Sequence, residues 1–197
     1  MITYLKGKLA YKDPTFVVID VGGIGYEVKI SLATYSAIKD KEDLLLHTYL
    51  HIKEDAHTLF GFAELAERKR FLDLISISGV GPSTGLMILS SLSPDELQYA
   101  IIHEEVKVIQ GVKGIGLKTA QRIILELKDK MKKEGLLDKT IDIAPSPRNS
   151  LREEALSALI TLGIPKNNAA KQVDMILRES GADITIEELI KQTLKRT

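Results

Sequence analysis

The hydrophobic pattern changes period partway along the chain. Through the first sixty-odd residues it is that of strands, and Tyr26-Glu27-Val28-Lys29-Ile30 alternates with period two, which predicts a strand with one buried face. The β-rich runs Ile2–Tyr11 and Phe16–Val21 are split by Lys12-Asp13-Pro14-Thr15, whose residue types favour a turn. Gly22-Gly23 forms a two-residue connection able to take positive φ. Further strands are expected over Leu44–Ile52 and Thr58–Phe62, joined by the tight turn Lys53-Glu54-Asp55-Ala56. Five short strands in so small a segment suit a closed or partly open barrel, because closure removes unpaired edges.

From Ala63 the period becomes helical, with Leu65, Phe71, Leu72, Leu74 and Ile75 on or near one stripe. Glu64, Glu67, Arg68, Lys69 and Arg70 fill the remainder of the helix surface. Ser93-Pro94-Asp95-Glu96 is a capping box with proline at the first helical position. A long helix over about Lys118–Lys133 is expected to stop at Gly135. The proline-containing stretch Asp138–Asn149 reads as a flexible linker. Beyond it, Ser150-Leu151-Arg152-Glu153 looks like a second capping box, opening a helix to about Leu162. Helices from Asn168 to Glu179 and after Thr185 complete a three-helix mini-bundle. The expected fold class is multidomain α+β: a barrel over 1–63, an all-α segment over 64–136, a linker over 137–149 and a helical tail over 150–197.

The composition excludes several chemistries. Cysteine is absent, which removes disulfides, thiolate metal sites and cysteine nucleophiles. No apolar run approaches the ~18 residues of a spanning helix, and the first residues lack a signal-peptide pattern, so the cytoplasm is the expected compartment. Lys+Arg 27 against Asp+Glu 27 leaves no net charge. The average conceals a local excess, however: between Lys113 and Lys133 seven basic residues face two acidic ones.

That basic tract coincides with the second copy of an internal repeat. Ser78-Gly79-Val80-Gly81-Pro82-Ser83-Thr84-Gly85 recurs 35 residues later as Lys113-Gly114-Ile115-Gly116-Leu117-Lys118-Thr119-Ala120, each copy between apolar helices. Paired glycines permit a tight bend and close approach of another backbone. The second glycine leads into a helix start, where amides lack partners and the dipole favours phosphate. Thr84 and Thr119 add hydroxyls; Lys113, Lys118 and Arg122 add charge. Such groups grip a nucleic-acid backbone without reading bases. The candidate DNA contacts are therefore Gly79, Val80, Gly81, Ser83, Thr84, Lys113, Gly114, Ile115, Gly116, Lys118, Thr119 and Arg122.

A nucleotide-hydrolysing P-loop fails on spacing, since its glycines would fall on Val112 and Leu117. Gly23-Ile24-Gly25 lacks the third glycine of a dinucleotide fingerprint. His47, His51 and His57 are read as surface strand residues rather than metal ligands, and no cofactor is expected.

Together with Val21-Gly22-Gly23-Ile24-Gly25-Tyr26-Glu27-Val28, the Lys53-Glu54-Asp55-Ala56 turn and Leu59-Phe60-Gly61-Phe62, the repeat resembles the RuvA family of bacterial four-way (Holliday) junction binders, over essentially the whole chain. The resemblance implies an OB-fold barrel, a double helix-hairpin-helix domain and a mobile C-terminal domain. It implies homotetramers, sometimes octamers, that hold a junction open and recruit the ATP-driven RuvB motor, with RuvC resolvase a further partner. It places an acidic pin at Glu54 and Asp55 and the motor contact at Leu159, Leu162, Ile164 and Leu194. Ser83 and Leu117 stand where relatives often carry lysine. The alternative is a helix-hairpin-helix nuclease or glycosylase, for which Lys113, Lys118 and Asp129 are the nearby candidates.

Overall fold

The computed structural model describes residues 1–39, 41–140, 147–179 and 184–196. Two compact units divide the chain, Met1–Glu134 and Gly135–Thr197.

The first unit begins with five strands, β1 (Tyr4–Lys12), β2 (Phe16–Val21), β3 (Ile24–Ile30), β4 (Asp43–Ile52) and β5 (His57–Phe62), close to where the alternation predicts them. They form a closed barrel in the order β1-β2-β3-β5-β4. Closure comes from a parallel pairing of β3 with β5, in register from Val28↔Leu59 to Ile30↔Gly61. Alternate residues fill the interior, including Val17, Ile19, Val28, Ile30, Leu44 and Leu46. The Gly22-Gly23 turn takes positive φ at both positions, as a two-residue hairpin with right-handed twist requires.

A short helix, α1 (Leu32–Ala37), fills the β3–β4 connection, where the pattern predicts none. Six residues are too few to display a helical period. Its signal is local: Ser31 caps it by accepting from the Thr34 amide at 3.0 Å.

Helices α2 (Leu65–Ile75), α3 (Pro82–Ser91), α4 (Pro94–Ile102), α5 (Val106–Gln110) and α6 (Leu117–Thr140) follow. The capping box forms at α4 as expected, with Ser93 and Glu96 each accepting from the other's amide. Gly135 does not end α6, which continues to Thr140; a mid-helix glycine costs only about 1 kcal/mol against alanine and is tolerated in a long helix. Phe60 and Phe62 of β5 join the helical core, where Phe71 of α2 lies 4.8 Å from Phe62 and 5.3 Å from Phe60, ring centre to centre.

Two buried polar groupings tie this unit together, and both draw on polar residues of α2. Leu65 is exposed, whereas Glu67 and Arg70 are buried. Glu67 accepts from Ser31 Oγ and from Thr34 Oγ1 (2.6 Å), and Thr34 Oγ1 accepts the Ala63 amide, so α2 is pinned to the α1 cap. Burial pushes the Glu67 carboxyl above its ordinary value despite the two hydroxyl donors. Arg70 donates to Glu134 (2.7 Å) and Gln98 (2.7 Å) and pairs with buried Asp73, joining α2, α4 and α6. Burial raises Glu134, but the hydrogen bonds and charges of Arg70 and Lys69 outweigh it, leaving the carboxyl lowered.

The second unit is a three-helix bundle, α7 (Pro147–Thr161), α8 (Lys166–Glu179) and α9 (Ile186–Arg196), around Ala155, Leu159, Ala169, Val173, Ile176 and Leu189. Residues 138–140 belong to α6 and 147–149 to α7, while 141–146 lie outside the described residues. Ser150 consequently sits inside α7 and is not its cap, because Pro147 supplies an earlier N-terminal start. Thr185 does cap α9, accepting the Glu188 amide at 3.3 Å. Arg152 and Asp174 pair between α7 and α8 at 2.9 Å, and the hydrogen bond lowers the aspartate.

Candidate nucleic-acid interface

The two repeat copies fold into the same hairpin, residue for residue. The first glycine of each is exposed with left-handed φ, +90° at Gly79 and +86° at Gly114. Side chains other than glycine rarely take this conformation. The middle residues, Val80 and Ile115, are buried (4% and 6% exposed), and their amides bond to the carbonyls of Ile77 and Val112, each at 3.0 Å. These two were expected among the DNA contacts. Their side chains instead plug each hairpin into the core, which fixes the direction of the flanking glycines.

The second glycines, Gly81 and Gly116, are exposed, with open space where a Cβ would stand. Each carries the first helical carbonyl, accepting from Gly85 (2.9 Å) and Ala120 (3.0 Å). The amides between those positions precede the first intrahelical bond and have no partner in the helix. In α3 they belong to Ser83 and Thr84, because Pro82 has none; in α6 they belong to Leu117, Lys118 and Thr119. Ser83, Leu117 and Lys118 reach solvent, and Thr119 is half-buried, so the matching extends to the outer face.

Charge is less symmetrical. Lys113 and Lys118 are exposed and form no ion pair among the described residues. Arg122 donates to the Ser78 carbonyl at 2.9 Å and faces Glu126 at 4.0 Å. Farther along α6, Lys128 pairs with Glu104 and Lys130 with Asp73. At about 1.5 Å per residue these lysines lie roughly 17–20 Å from the start of the helix. They serve the frame, not the hairpins, a division that a charge count along the sequence does not reveal.

The same arithmetic separates Lys118 from Asp129 by about 16 Å along one helix, so the pair expected of an enzyme does not converge. His47, His51 and His57 likewise form no metal-binding group among the described residues. Glu54 and Asp55 lie exposed at the β4–β5 turn, which is closed by the Lys53 amide bonding to the Ala56 carbonyl at 2.8 Å.

Comparison with known proteins covers the same segments. Residues 1–61 match the RuvA N terminal domain, 71–129 the SAM-like helix-hairpin-helix tandem, and 150–196 the RuvA C-terminal domain. A protein of Cytophaga hutchinsonii named Holliday junction branch migration complex subunit RuvA is 61% identical over 198 residues, covering 99% of each chain. The chain belongs to the RuvA family. The same name is carried by a Christiangramia forsetii relative, 53% identical over 100% of each chain, and by one from Amoebophilus asiaticus, 48% identical over 99% of this chain. The five-stranded barrel and paired hairpins are thus the RuvA arrangement. No helix among the described residues is long and apolar enough to cross a membrane.

In this RuvA chain the C-terminal residues expected to meet a motor separate into two kinds. Leu162 and Leu194 are exposed (61% and 46%), whereas Leu159 is fully buried and Ile164 packs against the bundle core. Leu159 therefore lies beneath the surface of the bundle.

Proposed function

We propose that this chain binds four-way DNA junctions by shape and without reading sequence, as a non-catalytic subunit of a branch-migration machine. The observation that carries the proposal is the duplicated hairpin, which aims two sets of unpartnered amides and adjoining cations outward from one compact unit. Phosphate is the matching ligand, and backbone contacts of this kind hold DNA in register while ignoring base identity. The names of the relatives, each a Holliday junction branch migration complex subunit, support the choice of substrate.

A homotetramer would present eight hairpins and, at its centre, eight carboxylates from Glu54 and Asp55. Those carboxylates would repel phosphates and keep strands apart at the crossover. An ATP-driven motor of the RuvB type would supply the work from a second chain, docking on the exposed apolar side chains Leu162 and Leu194 of the C-terminal bundle. A RuvC-type resolvase would act on the same junction.

The test is a gel-shift comparison of a four-way junction with linear duplex at fixed salt, together with the mass in solution. The expected result is preferential junction binding by a tetramer or octamer; equal affinity for both DNAs would reduce the role to general DNA binding. Glu54→Gln with Asp55→Asn is expected to tighten or misplace junction binding, and unchanged binding and branch migration would remove the pin role.

A further inference from the structure

The two hairpins share a backbone but not a charge. From Ser78 to Gly85 no residue is charged, whereas the second copy carries Lys113 and Lys118. A cation nevertheless stands beside the first hairpin, and it comes from the second motif. Arg122 of α6 donates through Nη1 to the Ser78 carbonyl at 2.9 Å, and the same nitrogen lies 3.9 Å from where a Cβ on Gly79 would stand. The reciprocal position is Met87 of α3, whose Sδ lies 4.0 Å from the corresponding point on Gly114. Each motif thus leans the residue eight positions after its first glycine on the other motif's first glycine. Only one of these two exchanges brings charge.

We propose that Arg122 supplies the first hairpin with the phosphate-attracting cation that residues 78–85 lack, so that the two hairpins act as one composite clamp. The inference rests on the junction-binding reading above. A guanidinium carries five N–H donors in a planar fork suited to phosphate, and the Ser78 carbonyl occupies only one bond. The Arg122 side chain is half-exposed, and its pairing with Glu126 at 4.0 Å is loose enough for a phosphate to displace. The bond to Ser78 holds the head of the side chain at the hairpin, which reduces the entropy lost when DNA arrives. Ser83, at the position equivalent to Lys118, is where the missing charge would otherwise sit.

The experiment measures affinity of the full chain for a synthetic four-way junction across a salt series. It compares the natural protein with Arg122→Gln, Arg122→Gln plus Ser83→Lys, and Lys118→Gln, with thermal unfolding run in parallel to confirm folding. Arg122→Gln is expected to weaken binding about tenfold and to flatten the log–log salt slope by about 0.9 for each phosphate no longer neutralised. Adding Ser83→Lys should restore the slope, which repair of a merely structural defect would not do. An unchanged slope in Arg122→Gln, or a flattened slope that Ser83→Lys fails to restore, overturns the inference. Lys118→Gln separates the two levels: if it flattens the slope while Arg122→Gln does not, only the role of Arg122 falls. If neither variant changes the slope, phosphate contact by the hairpins falls too, and the junction-binding reading with it.

Discussion

The first and second hairpins differ in what they offer a polyanion although their backbones match. Both have an exposed left-handed glycine, a buried aliphatic plug and an open second glycine leading into a helix. The first ends in Pro82, gives two unpartnered amides and holds no charge of its own; the second gives three amides, Lys113 and Lys118. Shape and charge are therefore separable in this fold. Shape is set within each motif by glycine and a core-facing side chain, while charge is shared between motifs through Arg122.

The largest way to break the matched pair is to put carboxylates on both bends. Gly79→Asp with Gly114→Asp combines unfavourable left-handed φ with repulsion of phosphate, and junction affinity should fall on the order of a hundredfold, from about 1.4 kcal/mol at each bend. Retained binding in a gel shift would mean that the bends do not touch the DNA.

Within one hairpin, the two glycines should respond differently to a single methyl group. Gly79→Ala is expected to cost about 1–2 kcal/mol in urea unfolding, because φ there is +90° although space is available. Gly81→Ala, at φ −83° with nothing nearby, should stay within about 0.5 kcal/mol. Equal costs at the two positions would refute the conformational argument.

Charge can then be moved while shape stays fixed. Ser83→Lys in the otherwise natural chain should steepen the salt slope of junction binding by about 0.9 for each additional phosphate neutralised. A slope that does not change would show that α3 stands too far from the phosphates.

The smallest expected effect concerns the frame holding both hairpins. Burial raises Glu67, so the folded state holds its proton more tightly than the unfolded chain does. Stability from this group is greatest below its ordinary value of 4.5 and is lost as pH climbs through the raised folded value. Glu67→Gln should remove that component, and urea midpoints of the two proteins should converge as pH falls. Parallel pH profiles would contradict the assignment.

The sequence pattern disclosed much of this architecture, for reasons that particular elements make plain. Alternation placed the strands close to their observed ends, and the Gly-x-Gly repeat located both hairpins from the residues alone. One short helix, α1, escaped because six residues carry no period. The burial of Glu67 and Arg70 was not legible, because their partners, Ser31, Thr34, Gln98 and Glu134, come from distant segments that only folding brings together. Val80 and Ile115 were grouped with the DNA contacts by proximity to the glycines, whereas so tight a bend turns them inward. The Lys128–Lys130 end of the basic tract was counted with the hairpins because charge along a sequence carries no distance.

Amide hydrogen exchange with and without a four-way junction tests the central claim most directly. Amides at a helix start exchange fast when they face water and slow down when a phosphate accepts from them. Slowing is predicted at both Gly81–Thr84 and Gly116–Thr119 on junction binding. Slowing at one segment only, or at neither while the junction remains bound, would contradict a grip made by both bends.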